Sequence, residues 1–247
     1  MGSDDADALA ACAAAVGAAR LHRSDDAVAQ AAALADRVAD DLRAALAARG
    51  RALLAVSGGR SPVALFAALR TQALDWAAVT VVLVDERVVP VDHPDSNTAL
   101  VRRHLLADAA ARATFVPFFD TPGGADADAL AAQADRRLAA LGWPLDVVLL
   151  GMGEDGHTAS LFPAAPGLDA ALAADAPRVV GVRPATAPHA RLTLSLPVLR
   201  AARQAHLAIA GAAKRAVLAQ ACRLPDVVRP VSLLLHDVPH PPDLWIA

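Results

Sequence analysis

The chain of 247 residues predicts an α/β fold with a mainly parallel sheet, and three features carry that prediction. Short, mainly apolar runs of Val, Leu, Ile and Ala recur at residues 51–56, 79–84, 145–150 and 205–210, the length and composition of strands buried on both faces. Helical patterns separate these runs, so that strand and helix alternate along the chain. Polar loops at residues 57–61, 85–87, 151–160 and 211–214 follow the same strands. In a parallel sheet such loops open onto one rim, beyond the carboxyl ends of the strands, where ligands bind.

Each element has its own local reason. Residues 1–15 are acidic and alanine-rich and read as a frayed, flexible extension, leaving one domain over residues 16–247. Residues 16–21 suggest an edge strand. Ser24, Asp25 and Asp26 then precede a long Ala/Leu stretch closed by Arg49 and Gly50, the cap, charge and stop signals of a helix, with Ser24 as its cap. After the strand at 51–56, Pro62 suits the first turn of a helix running through Arg70. Following the strand at 79–84, a loop punctuated by Pro90 and Pro94 leads to a helix over about residues 95–106, with Ser96 placed to cap it. A short strand is expected at 114–117, a turn at 122–124 and an amphipathic helix at 125–141. Pro163, Pro166 and Gly167 keep the stretch after residue 157 irregular. Strands at 178–183 and 191–195, helices at 197–203 and 211–222, a last buried strand at 231–236 and a tail at 244–246 complete the reading.

Composition excludes several function classes. Hydrophobic residues make up 55% and mean hydropathy is +0.38, but the excess is mostly alanine. No apolar run approaches the ~18–20 residues that span a bilayer, and residues 8–19 follow three aspartates where an export signal carries positive charge. A cytoplasmic protein with no membrane role is expected. Cys12 and Cys222 stand outside any CxxC context and imply no disulfide framework. A net charge of −3, no tyrosine and 3% aromatic residues argue against a nucleic-acid partner.

The chemistry-bearing residues concentrate in the rim loops. Ser57-Gly58-Gly59-Arg60-Ser61-Pro62 joins a strand to a helix, so its amides and Arg60 suit an anion, although an ordinary turn would read the same way. Asp85-Glu86-Arg87 brings an acid and a base to the rim, or else a local ion pair. Gly151-Met152-Gly153-Glu154-Asp155-Gly156-His157 contains the spacing of a dinucleotide fingerprint. That fingerprint needs an uninterrupted helix directly after it, which Pro163, Pro166 and Gly167 prevent. What remains is His157, two residues from Asp155, whose carboxylate can fix the imidazole tautomer and strengthen it as a base. The other histidines show no metal-ligand spacing on a helix, and no metal site is expected. Ser57 lacks the first glycine of a nucleophile elbow, so water is the expected nucleophile. Of the 23 basic residues only Lys214 is lysine, placed at a strand-to-helix turn as a compact charge for phosphate.

Taken together these stretches resemble the 6-phosphogluconolactonase family. The carriers are Ser57 to Pro62, Asp85-Glu86-Arg87-Val88-Val89-Pro90 with His93-Pro94-Asp95-Ser96-Asn97, the run from Gly151 through His157-Thr158-Ala159-Ser160-Leu161-Phe162-Pro163, Arg191-Leu192-Thr193-Leu194, and Gly211-Ala212-Ala213-Lys214. The resemblance implies a Rossmann-like three-layer fold similar to glucosamine-6-phosphate deaminase and ribose-5-phosphate isomerase. It implies hydrolysis of 6-phospho-D-glucono-1,5-lactone without a cofactor, by a monomer or small homo-oligomer. His157 would be the base, oriented by Asp155 or a backbone carbonyl, with Asp85 beside it and Arg87 at the oxyanion. Ser57, Gly58, Gly59, Arg60, Ser61, Arg191 and Lys214 would hold the phosphate. The nearest alternative is the deaminase branch, whose pattern reads Asp-Gly-His-Ile-Ala-Phe-Asn-Glu-Pro. Phe162 stands here in place of that glutamate, and Arg87 in place of that branch's tyrosine. A sugar-phosphate-sensing regulatory domain ranks third, since the acidic N-terminal segment is too short for a DNA-binding module.

Overall fold

The computed structural model describes residues 3–17, 20–59 and 61–247. Ten strands and eight α-helices are found among them: α1 Ser3–Ala15, β1 Leu21–Arg23, α2 Ala27–Arg49, β2 Ala52–Val56, α3 Val63–Leu69, β3 Val79–Leu83, β4 Asp85–Arg87, α4 Asn97–His104, β5 Thr114–Phe115, α5 Ala127–Leu138, β6 Val147–Leu150, α6 Leu168–Leu172, β7 Val179–Val182, β8 Arg191–Leu194, α7 Leu196–Arg200, β9 Gln204–Ile209, α8 Ala212–Ala221 and β10 Asp243–Ile246. Seven strands form one sheet in the order β1-β10-β9-β6-β2-β3-β5. Every pair in it is parallel. The remaining three, β4-β8-β7, form a smaller antiparallel sheet. This is the expected α/β arrangement with a mainly parallel sheet. No helix among the described residues is long and apolar enough to cross a membrane.

The order of strands decides where a ligand can sit. From β2 the chain moves one way, to β3 and β5, while β6 and β9 lie on the other side of β2. The loops leaving β2 and β6 therefore diverge, and a crevice opens between them at the carboxyl edge. Both strands are buried along their whole length, as strands covered on both faces must be. Their starts are pinned by Asp146, whose Oδ2 accepts from the Leu53 N–H at 2.8 Å while its Oδ1 meets Arg49 at 2.7 Å. Helix α2 covers the sheet with one stripe, Ala31, Leu34, Ala35, Val38, Ala39, Leu42 and Ala45.

Several expectations need correction. Asp26, not Ser24, caps α2, accepting from the N–H groups of Val28 and Ala29 at 2.8 Å each. Gly50 closes the same helix in the left-handed conformation, as its position predicts. Where a flexible extension was expected, Ser3–Ala15 form helix α1, which packs on α8 with Leu9 and Cys12 buried and Val16 buried just beyond its end. Its apolar residues are spaced to reach the core, and alanine supports the helix. Cys12 is bonded to Cys222 with their Cα atoms 5.2 Å apart, so the two cysteines are not free thiols; sequence separation hid a pair that α1 and α8 bring together. The edge strand begins at Leu21 rather than Val16. Residues 231–236 are not a strand: Pro230–Leu234 form a 3₁₀ turn. A short apolar run is compatible with either state, and here the tail at Asp243–Ile246 takes the place in the sheet.

Candidate active site

A cleft of about 370 Å³ lies at the crevice between β2 and β6, lined by Ser57, Gly58, Gly59, Ser61, Asp85, Arg87, Asn97, Gly151, Gly153, His157, Ala159 and Lys214 among others. Rim loops from β2, β3, β6 and β9 thus converge as anticipated. Arg60 lies outside the described residues. Asp155 and Arg191 are not lining residues; both stand behind residues that are.

The β6 loop is built around His157. Nδ1 of His157 lies 2.5 Å from Oδ1 of Asp155, and the same oxygen accepts from the His157 backbone N–H at 3.1 Å. A carboxylate can only accept, so the ring proton sits on Nδ1 and the Nε2 lone pair is left for chemistry. The other flank of the ring stacks on Phe162, with centroids 4.0 Å apart and planes inclined by 22°. The glycines serve this geometry. A Cβ at Gly153 would overlap the His157 ring and Asp155, and Gly156 has φ +79°, where a Cβ would also crowd Arg229. Thr158 donates to the Gly151 carbonyl at 2.9 Å and Ser160 to Oδ2 of Asp85 at 2.7 Å. Between them Ala159 is held at φ +48°, a conformation costly for a residue with a Cβ.

Strand β4 supplies the opposite wall. Asp85 is buried and takes hydrogen bonds from Ser160 and from the Asn97 amide, whose Nδ2 donates to the Asp85 carbonyl at 2.8 Å. The Asn97 side chain lies flat against Gly58, where any Cβ would overlap it. Glu86 points away from the cleft and is 1% exposed. Its carboxylate accepts from the backbone N–H groups of Arg87, Asn97 and Thr98 at 2.7–2.8 Å and from Ser96 Oγ at 3.3 Å. Burial pushes its pKa up, while those donors pull it back. Within the Asp85-Glu86-Arg87 stretch that was expected to bring an acid and a base to the rim, Glu86 anchors the start of α4 instead. Ser96 caps α4 as expected, accepting from Ala99 N–H at 3.1 Å.

Basic side chains come from both walls: Arg87 and Arg191 from the β4–β8 ladder and Lys214 from α8. Arg87 donates through Nη1 to the Asp95 carbonyl. Arg191 is its partner across the β4–β8 ladder and is buried, with Nε and Nη1 lacking a hydrogen-bond partner among the described residues. Burial, and then the Arg87 charge, lower its pKa. Lys214 lies in the first turn of α8 beside the β2 loop. Ser57 is turned inward, its hydroxyl donating to the Leu149 carbonyl at 2.8 Å, so it ties β2 to β6. Sequence reasoning missed the parts of Asn97, Ser160 and Phe162; the side-chain inventory of the same motif run holds them, but only their contacts reveal them.

The chain is similar to known proteins over most of its length. Residues 25–240 match the family described as glucosamine-6-phosphate isomerases/6-phosphogluconolactonase. A 6-phosphogluconolactonase of Pseudomonas putida is 46% identical over 222 residues, which cover 89% of this chain and 90% of that one. The crystal structure of a 6-phosphogluconolactonase from Shewanella baltica superposes with a TM-score of 0.88 at 39% identity, covering 92% and 97% of the two chains. A monomeric glucosamine-6-phosphate deaminase shares the fold alone, with a TM-score of 0.70 at 19% identity, covering 92% of this chain and 96% of that one. The chain belongs to the glucosamine-6-phosphate isomerase/6-phosphogluconolactonase family.

Proposed function

We propose that the protein is a 6-phosphogluconolactonase, hydrolysing 6-phospho-D-glucono-1,5-lactone to 6-phospho-D-gluconate in the oxidative pentose phosphate pathway. The observation that carries this reading is one imidazole clamped between Asp155 and Phe162 at the mouth of a cleft that also holds Lys214. Nε2 of His157 takes a proton from water as the water oxygen attacks the lactone carbonyl carbon. Arg87 stabilises the oxyanion, a role whose loss typically costs roughly 3–4 kcal/mol. The intermediate collapses, the bond to the ring oxygen breaks, and the imidazolium returns its proton to that oxygen. Lys214 and the amides of the β2 loop hold the 6-phosphate and so align the carbonyl. No oxidation state changes, and side chains supply the base, the acid and the charge on the oxyanion, so the scheme calls for no cofactor. A cytoplasmic place of action and a monomer or small homo-oligomer go with this reading.

Phe162 weighs against the deaminase chemistry. Its ring fills the place from which the deaminase pattern offers a glutamate, and it has no proton to give. The test is an assay supplying fresh lactone from glucose-6-phosphate dehydrogenase, with glucosamine 6-phosphate as the paired substrate. His157→Ala should lower kcat roughly 10²–10⁴-fold while leaving 6-phosphogluconate binding nearly intact. Wild-type turnover in that variant would remove His157 from the mechanism.

A further inference from the structure

We propose that His93, Asp95 and His189 form a binding site for a divalent metal ion of the zinc class. One donor atom from each residue lies within 4.8 Å of the other two. His189 Nε2 and Asp95 Oδ2 are 3.1 Å apart, close to the ~3.3 Å edge of a tetrahedron with metal–ligand bonds of about 2.0 Å. Nδ1 of His93 is 3.9 Å from the same carboxylate oxygen and accepts from the Asp95 backbone N–H at 3.1 Å, so closing the set asks for a movement of about 0.6 Å in which the metal ion takes the place of that hydrogen bond. The imidazoles already meet edge to face, with centroids 5.5 Å apart.

The frame beneath these donors is ordered. Arg87 pairs with Arg191 at the end of the β4–β8 ladder, and the Val88 N–H extends it by bonding the Ala190 carbonyl at 2.9 Å. His189 directly precedes that carbonyl, and its backbone is held at φ +69°. His93 and Asp95 follow β4 in two consecutive turns, closed by the bonds from His93 N–H to the Pro90 carbonyl and from Ser96 N–H to the His93 carbonyl, both 2.9 Å. Two loops fixed to one ladder thus face their donors toward each other. The sequence offers no ligand spacing because two donors come from one loop and the third lies 94 residues away.

Chemistry narrows the ion. Two neutral imidazoles and one carboxylate suit zinc, cobalt or nickel, whereas magnesium and calcium prefer oxygen. In the structure the ring proton of His189 bridges to Asp95. A metal ion replaces that proton between the same two atoms, so binding releases it. The three side chains are 30–50% exposed, which leaves solvent positions on the ion.

Zinc ions titrated calorimetrically into chelator-stripped protein test the site, with magnesium as the control. Wild type should bind one zinc ion per chain, and His157→Ala should bind it equally, which separates this site from the His157–Asp155 pair. His93→Ala and His189→Ala should each weaken binding at least about tenfold, and so should the isosteric Asp95→Asn, which guards against misfolding in the alanine variants. Cobalt in place of zinc should give visible absorption that His189→Ala abolishes. The proposal falls if wild type binds no zinc below about 1 mM. It falls equally if His157→Ala abolishes the binding, or if the three site variants bind as wild type does.

Discussion

Lys214 stands in the first turn of α8, on the cleft wall next to the glycines of the β2 loop. An ammonium there reaches a phosphate as a point charge, and such a charge-assisted bond contributes about 1.5–3 kcal/mol. Lys214→Ala should therefore raise KM by roughly 10- to 150-fold while changing kcat far less. Steady-state kinetics on fresh lactone decides it, and an unchanged KM would take Lys214 out of the phosphate grip. Lys214 and His157 were legible in the sequence, because a lone lysine and a strand-end histidine declare themselves by residue type and position. Asn97 and Ser160 were not. Their importance lies in bonds to Asp85 from residues 12 and 75 positions away, which no local pattern encodes. Phe162 could be seen as a departure from the deaminase pattern, but its stacking on His157 needed coordinates.

The pairing of β4 with α4 shows what one buried carboxylate can organise. Both oxygens of Glu86 accept from backbone N–H groups, which joins Arg87 at the cleft to the first turn of α4. Glutamine in that place would turn an amide NH₂ toward donors that need an acceptor. Glu86→Gln should cost about 1–3 kcal/mol of stability and lower kcat/KM, since Arg87 and Asn97 both shift when α4 loosens. Denaturant unfolding and lactone kinetics read the two effects; wild-type values in both would refute the coupling. Strands β2, β3, β6 and β9 were legible because they are apolar runs of the right length, with little else they could become. Strand β10 was not, because it opens on Asp243, and a charged residue rarely announces a buried strand. Asp243 is accepted there because His22 and Arg37 lie 3.5 Å and 3.9 Å from it. The run at residues 231–236 misled for the opposite reason: Val231, Leu234 and Leu235 are core, but Pro230 starts a tight turn rather than a strand.

A polar cluster centred on His206, which also lines the cleft, ties four elements together. His206 on β9 meets Oδ2 of Asp41 on α2 at 2.9 Å, and the Trp245 indole on β10 donates to its Nδ1 at 3.2 Å. Arg37 bonds Asp41, and His22 on β1 stacks on Trp245 with centroids 3.7 Å apart. Burial lowers the pKa of His22 from its ordinary 6.5, although Asp243 draws it the other way. A histidine with a lowered pKa is protonated first in the unfolded chain. Its contribution to stability is therefore held above pH 6.5 and lost as the pH falls below that value. Thermal unfolding should show a falling Tm below about pH 6.5, and His22→Gln should flatten that slope. An identical slope in the variant would assign the effect to another group. The overall architecture was legible from alternation alone, down to the rim on which the loops meet. The disulfide, α1 and the second sheet were not, because each depends on segments far apart in sequence that only the finished fold brings together.

The place of β10 has a consequence for how the molecule is made. It is the last strand in the chain, yet it separates β1 from β9. On a ribosome, β1 emerges first and has nothing to pair with until residues 243–246 follow. Until then β9 presents an open edge, the kind of surface on which nascent chains recruit one another. The sheet that carries the cleft can assemble early from β2, β3 and β6, and its far margin is sealed by a strand made after all the others in that sheet.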